Sequence, residues 1–115
     1  MLGQKTLLVN PPLVDGIRFT RQGRCQERED VLGTTKPPYT LVLLASLLRE
    51  AGCEVRLIDQ TAENLSTADL IARLDAEGFV PTIIIFCSTT PTLEADAAEM
   101  RTLKAHWRVP IFCFG

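Results

Sequence analysis

The sequence predicts an α/β fold, a three-layer domain built on an open parallel sheet. Four short, β-rich apolar runs recur along the chain, and segments of helical character bounded by glycine or proline separate them. Strands alternating with helices make βαβ units, whose right-handed crossovers give a parallel sheet.

The first run, Lys5–Val9, is continuous and apolar and stops at Asn10-Pro11-Pro12. A run of that kind suits a strand buried on both faces. From Pro11 to Pro38 neither helical nor strand periodicity is visible, which predicts a long loop over 11–38; loops of that length are usually functional. Pro37-Pro38 open a helix whose body runs from Tyr39 to Ala51, with Gly52 as its stop. Glu54–Asp59 alternates and reads as the second strand. Ser66 with Asp69 three residues on forms a capping box for a helix to Glu77, closed by Gly78. Thr82–Phe86, with three consecutive isoleucines, is the third strand. Thr90-Pro91 fits an N-cap followed by proline at the first helical position, opening a helix to about Trp107. Ile111–Phe114 is the fourth strand. The natural order for this succession is flavodoxin-like, 2-1-3-4.

Composition narrows the function classes. With 115 residues, 46% of them hydrophobic, the chain has apolar mass for one core. Its net charge of -2 offers no electrostatic case for nucleic acid or an anionic membrane. No run is long enough to span a bilayer and the start does not read as a secretory signal, so a cytoplasmic protein is expected. Cys25, Cys53, Cys87 and Cys113 are too far apart for a zinc or iron–sulfur motif and are expected to be ordinary thiols. No metal site is expected.

Two features read as unfinished. A doubly wound domain usually has a fifth strand and further helices, whereas here the fourth strand meets Gly115. The first helix, with Leu41, Val42, Leu43, Leu44, Ala45, Leu47 and Leu48, is apolar almost all round and calls for burial on more than one side. Both point to one incomplete domain over 1–115, truncated before the fifth strand, from a longer protein, and to self-association of the fragment.

In open parallel sheets ligands bind beyond the carboxyl ends of the strands. Asn10, Pro11 and Pro12, then Asp59, then Ser88, Thr89 and Thr90, and finally Gly115 fall there. The hydroxyl run at 88–90 and the helix start behind it suit a phosphate, ribose or amide; equally, Thr90 caps the helix and the other hydroxyls face water. Asp59 suits either a ribose hydroxyl or a turn cap. Arg18, Arg21, Arg24 and Arg28 make either an anion grip or, with Asp15, Glu27, Glu29 and Asp30, a solvated mixed-charge loop. His106, the single histidine, lies near a helix end away from this edge and reads as a surface residue. There is no GxGxxG after the first strand and no P-loop. The third strand ends in Cys87-Ser88 rather than the aspartate of a response regulator, and NPP stands where a flavodoxin carries its phosphate loop.

The ordered set LLVNPP, PPYTLVLLASLLREAGCEVRLID, IIIFCSTTPT and FG resembles the N-terminal cobalamin-binding-type domain of radical SAM enzymes. The loop run GRCQERED is similar to the branch around anaerobic magnesium-protoporphyrin monomethyl ester cyclase and related iron–sulfur oxidoreductases. The resemblance implies that Asn10, Pro11 and Pro12 lie under the corrin and that Ser88, Thr89 and Thr90 line the cleft for its nucleotide tail. Gly115 would be the first of a glycine pair that lets the tail pass. It also implies a downstream radical SAM domain carrying a 4Fe–4S cluster and S-adenosylmethionine, through a CxxxCxxC motif this chain lacks. The family's cobalt-ligating DxHxxG motif has no counterpart here. The expected function is therefore a cobalamin-binding module serving methyl transfer or oxidative cyclisation. The alternatives are a ligand-free scaffold domain of the same fold and a flavodoxin-like nucleotide binder.

Overall fold

The computed structural model describes residues 3–21 and 37–115, so Cys25, Arg24, Arg28 and the acidic residues at 27, 29 and 30 lie outside the described residues. The order is β1 (Lys5–Asn10), α1 (Tyr39–Glu50), β2 (Glu54–Asp59), α2 (Gln60–Glu63), α3 (Thr67–Glu77), β3 (Ile83–Cys87), α4 (Leu93–Trp107) and β4 (Ile111–Phe114). A single 3-10 turn, Thr90–Thr92, leads into α4. All strand pairs are parallel, in the order β2-β1-β3-β4. The predicted fold class and strand order are those of the molecule.

β1 is central because it is the apolar run without a polar face: Leu7, Leu8 and Val9 have no exposed surface. Alternation then sorts residues between the two layers. Leu7, Val9, Ile58, Ile84 and Phe86 pack with Leu70, Leu74, Phe79 and Leu103 on the face covered by α3 and α4. Leu8 and Cys87 face the other way, against Leu41 and Ala45 of α1.

Local signals hold where predicted. The Ser66 hydroxyl accepts from the Asp69 N–H at 3.1 Å, and Gly78 closes α3 with φ at 71°. Thr90 is not the cap expected of it. The Thr92 N–H donates to the Thr89 carbonyl, tightening the entry into a 3-10 turn around Pro91, and α4 begins only at Leu93. The third strand is Ile83–Cys87, one residue on from the expected Thr82–Phe86, because Thr82 uses its hydroxyl to tie Gln4 and Lys5 at the strand's foot. The four residues of α2 escape any periodicity test; Asp59 caps them, accepting from the Ala62 N–H at 3.0 Å.

The loop after β1, expected to lack regular structure, contains one tight turn. Val14 and Ile17 exchange both backbone hydrogen bonds across Asp15 and Gly16, whose φ angles of 50° and 76° match a type I′ turn. This reversal carries the chain back to the carboxyl edge of the sheet and delivers Arg21 there.

Candidate functional site

The carboxyl edge of the sheet holds two arrangements side by side. The first fills the switch point between β1 and β3. Arg21, whose side chain has no exposed surface, donates all five of its N–H groups. Nε and Nη2 grip the two oxygens of Asp96 at 3.0 and 2.9 Å. Nη1 reaches the Pro11 carbonyl and the Thr61 hydroxyl, and Nη2 reaches the Pro12 carbonyl at 2.9 Å. Asp96, equally buried on α4, also accepts the hydroxyls of Ser88 and Thr92, each at 2.7 Å. The Thr61 hydroxyl in turn donates to the Pro11 carbonyl at 2.6 Å. One ion pair thus pins the loop after β1 to the ends of β2, β3 and α4. A buried charge pair of this kind persists only when every donor and acceptor is matched, and the guanidinium here is fully matched.

Beside it, Asn10 bridges two strands. Its Nδ2 donates to Asp59 at 2.8 Å, and the Cys87 thiol donates to its Oδ1 at 3.2 Å. Burial pushes that thiol up to about 12; Arg21 pulls it down by less, and Asp96 and Asp59 add to the rise. Cys87 is therefore a neutral donor and behaves as the ordinary buried thiol expected. Cys113, on the β4 edge, is exposed, because no strand covers it among the described residues.

The second arrangement is an open groove of about 240 Å³ between the ends of β3 and β4, lined by Ser88, Thr89, Thr90, Leu93, Cys113, Phe114 and Gly115. The Ser88 N–H donates to the Phe114 carbonyl at 2.9 Å, continuing the β3–β4 ladder past the last paired residues. At Gly115 the two backbones come so close that a Cβ would lie 1.9 Å from the Ser88 carbonyl oxygen. Only glycine fits there, and the approach keeps one wall of the groove bare of side chains.

The predicted site residues divide between these arrangements. Ser88, Thr89, Thr90 and Gly115 meet in the groove, Thr90 at its exposed rim. Asn10, Asp59 and the Pro11 and Pro12 carbonyls belong to the packed network, and Asp59 serves as a helix cap. Of the four loop arginines, Arg21 grips a carboxylate of the same chain. Asp96 and Thr61 were not singled out from sequence: an acid in the first turn of a helix is ordinary, and nothing local marks its burial. The Asp15-Gly16 dipeptide between Val14 and Ile17 was the signal that could have exposed the hairpin. His106 is half exposed on the far end of α4, with Nε2 3.0 Å from Asp75 on α3. No group of three or more metal-ligating side chains occurs among the described residues, and none of their helices is long and apolar enough to cross a membrane.

Comparison with known proteins adds one relative. The chain is similar to an uncharacterized methyltransferase of Pyrococcus horikoshii, 37% identical over 89 residues, which is 77% of this chain and 16% of that protein. The chain thus spans about a sixth of the length of the relative it matches. No family model matches the chain, and no solved structure matches it.

Proposed function

We propose that this chain is a cofactor-binding module of a methyl-transferring enzyme, holding cobalamin at the carboxyl edge of its sheet for a downstream radical SAM domain. The observation that carries the reading is the groove between β3 and β4, with its bare backbone wall at Gly115 against Ser88. It lies where open parallel sheets take their ligands. The similarity to a methyltransferase, over a segment that is a small part of that protein, supports the class of reaction.

The residues fit one part of such a cofactor. At about 240 Å³ the groove is smaller than the roughly 300–1,000 Å³ of a complete small-molecule pocket, and it suits a ring and sugar rather than a whole cofactor. Leu93 and Phe114 give it apolar walls for a flat ring. No described residue at this edge offers an imidazole to cobalt. When bound, cobalamin supplies a cobalt centre able to carry a methyl group. The chain's own contribution is to seat the tail in the groove beside the Ser88–Gly115 contact, against Leu93 and Phe114, and to close the switch point below with the Arg21–Asp96 network.

That closure favours a second reading from another class, a ligand-free docking domain. The crevice between β1 and β3, the usual ligand position, is filled by Arg21 and Asn10 of the chain itself. Titration of hydroxocobalamin separates the two, using this chain and a version extended along its gene by about a hundred residues, roughly enough to complete a domain. A saturable shift of the corrin spectrum that Gly115→Val abolishes supports the cofactor reading. Unchanged spectra with both chains overturn it in favour of the docking domain.

A further inference from the structure

The two edges of the sheet are built differently. β2 carries Glu54, Arg56 and Asp59, and Arg56 pairs with Glu54 and Glu77 along that side. Charge of this kind keeps a further strand from adding to an edge. β4 carries no charge, and among the described residues no strand lies beyond it. The N–H groups of Ile84 and Ser88 donate to the carbonyls of Pro110 and Phe114. The even positions of β4 therefore bond inward, and the N–H and C=O groups of Ile111 and Cys113 point outward. Phe114 packs on the α1 side of the sheet and Ile111 on the other, so alternation puts the exposed Phe112 on the α1 side.

Helix α4 runs antiparallel to this edge and carries charge of both signs along it. Leu93 lines a groove with Cys113 and Phe114, while Met100, Arg101 and Lys104 line another with Ile111. Ala97 thus falls level with the middle of β4. Glu94 and Arg101, both exposed, stand two turns apart on this flank, one to each side of Ala97. Lys104 is tied to the Val109 carbonyl at 2.9 Å.

We propose that β4 and this flank of α4 bind a second copy of the chain across a two-fold axis, joining the two sheets through an antiparallel β4–β4 pair. An axis normal to the sheet through Phe112 sets it against Phe112 of the partner subunit. It also sets Ile111 against Cys113 of the partner subunit, so that their outward N–H and C=O groups exchange both hydrogen bonds. The same axis passes Ala97 and brings Glu94 of each copy opposite Arg101 of the partner subunit. That charge match, acid at one end of the flank and base at the other, is self-complementary only under a two-fold. It is what selects a second copy as the occupant. The interface uses no ligand and stands apart from the function proposed above.

Sedimentation equilibrium of the 115-residue chain across a dilution series tests this, and a reversible dimer is expected. Phe112→Lys, at an exposed position that leaves the core intact, is expected to give a monomer throughout. Arg101→Glu sets like charges against each other at both ends of the flank and is expected to weaken the dimer about tenfold. Adding Glu94→Lys to that variant restores opposite charges and is expected to recover the dimer. Leu43→Lys, on the open face of α1, is expected to change nothing. A monomer mass independent of concentration overturns the proposal, as does a tenfold loss that Glu94→Lys fails to recover. A dimer dissolved by Leu43→Lys and not by Phe112→Lys overturns it in favour of the α1 face. If the version extended along its gene stays monomeric where the 115-residue chain dimerises, the edge belongs to a strand of the same polypeptide, and the proposal is likewise overturned.

Discussion

Arg21 shows how far a residue's role depends on what the fold brings to it. In sequence it is one of four loop arginines, and its five donors could as well face water or a ligand. In the folded chain they face two proline carbonyls, a threonine and a carboxylate 75 positions away. Removing one member of a buried pair strands the other charge, so Arg21→Ala or Asp96→Asn is expected to cost about 3–5 kcal/mol in urea unfolding. The double change Arg21→Met with Asp96→Leu is expected to cost less than the two single changes summed, since it leaves no charge behind. Cys87 gives a second residue-scale expectation. Its thiol titrates at about 12 in the folded chain and near 9.0 in the unfolded one. The raised value means its contribution is fully present below pH 9 and lost as pH climbs toward 12, at about 1.4 kcal/mol per unit. Unfolding followed between pH 8 and 11 should show that decline, and Cys87→Ala should flatten it. The inert, buried character of Cys87 was legible from its place in an apolar run, whereas the role of Arg21 was not, because it depends on which groups share a buried space.

At the scale of elements, legibility was high wherever the signal was local. The boundaries of β2 and β4 are those read from alternation and from a short apolar run. The Ser66 cap and Gly78 stop of α3 are those read from side-chain type. The entry to α4 was misread, since Thr90-Pro91 is compatible with either a cap or a 3-10 turn, and the Thr92–Asp96 contact decides between them. The apolar residues of α1 cover nearly the whole circumference, yet only Leu41 and Ala45 are buried, while Leu43 is 62% and Leu47 54% exposed. Leu41→Ala is expected to cost about 2–5 kcal/mol, as for any well-packed core leucine. Leu43→Lys, two residues on and on the opposite, open face, is expected to stay within about 0.5 kcal/mol. Thermal melts of the two variants check the contrast; equal losses would mean that the open face is packed in solution.

For the whole molecule, parallel order follows from counting. Three helical connections between four strands leave little choice once crossovers are right-handed. The two faces are unequally covered: α3 and α4 enclose one core, and α1 alone lies over the other, leaving Phe112 58% exposed at the β4 edge. The carboxyl edge is likewise a property of the assembled sheet, where loops distant in sequence converge and compete for the same space. The sequence by itself determined the α/β class, the number and nature of the strands, their order, and the residues that fall at the carboxyl edge. It did so because these depend on short-range periodicity and on chain handedness. Only the tertiary structure decided which edge residues remain open to a ligand. Asn10, Pro11, Pro12 and Asp59 are drawn into a network around Arg21, whereas Ser88, Thr89, Thr90 and Gly115 line a groove. The physical reason is that a hydrogen-bonding group can satisfy either its own chain or a ligand, and which of them it satisfies depends on distances that only the folded sheet sets.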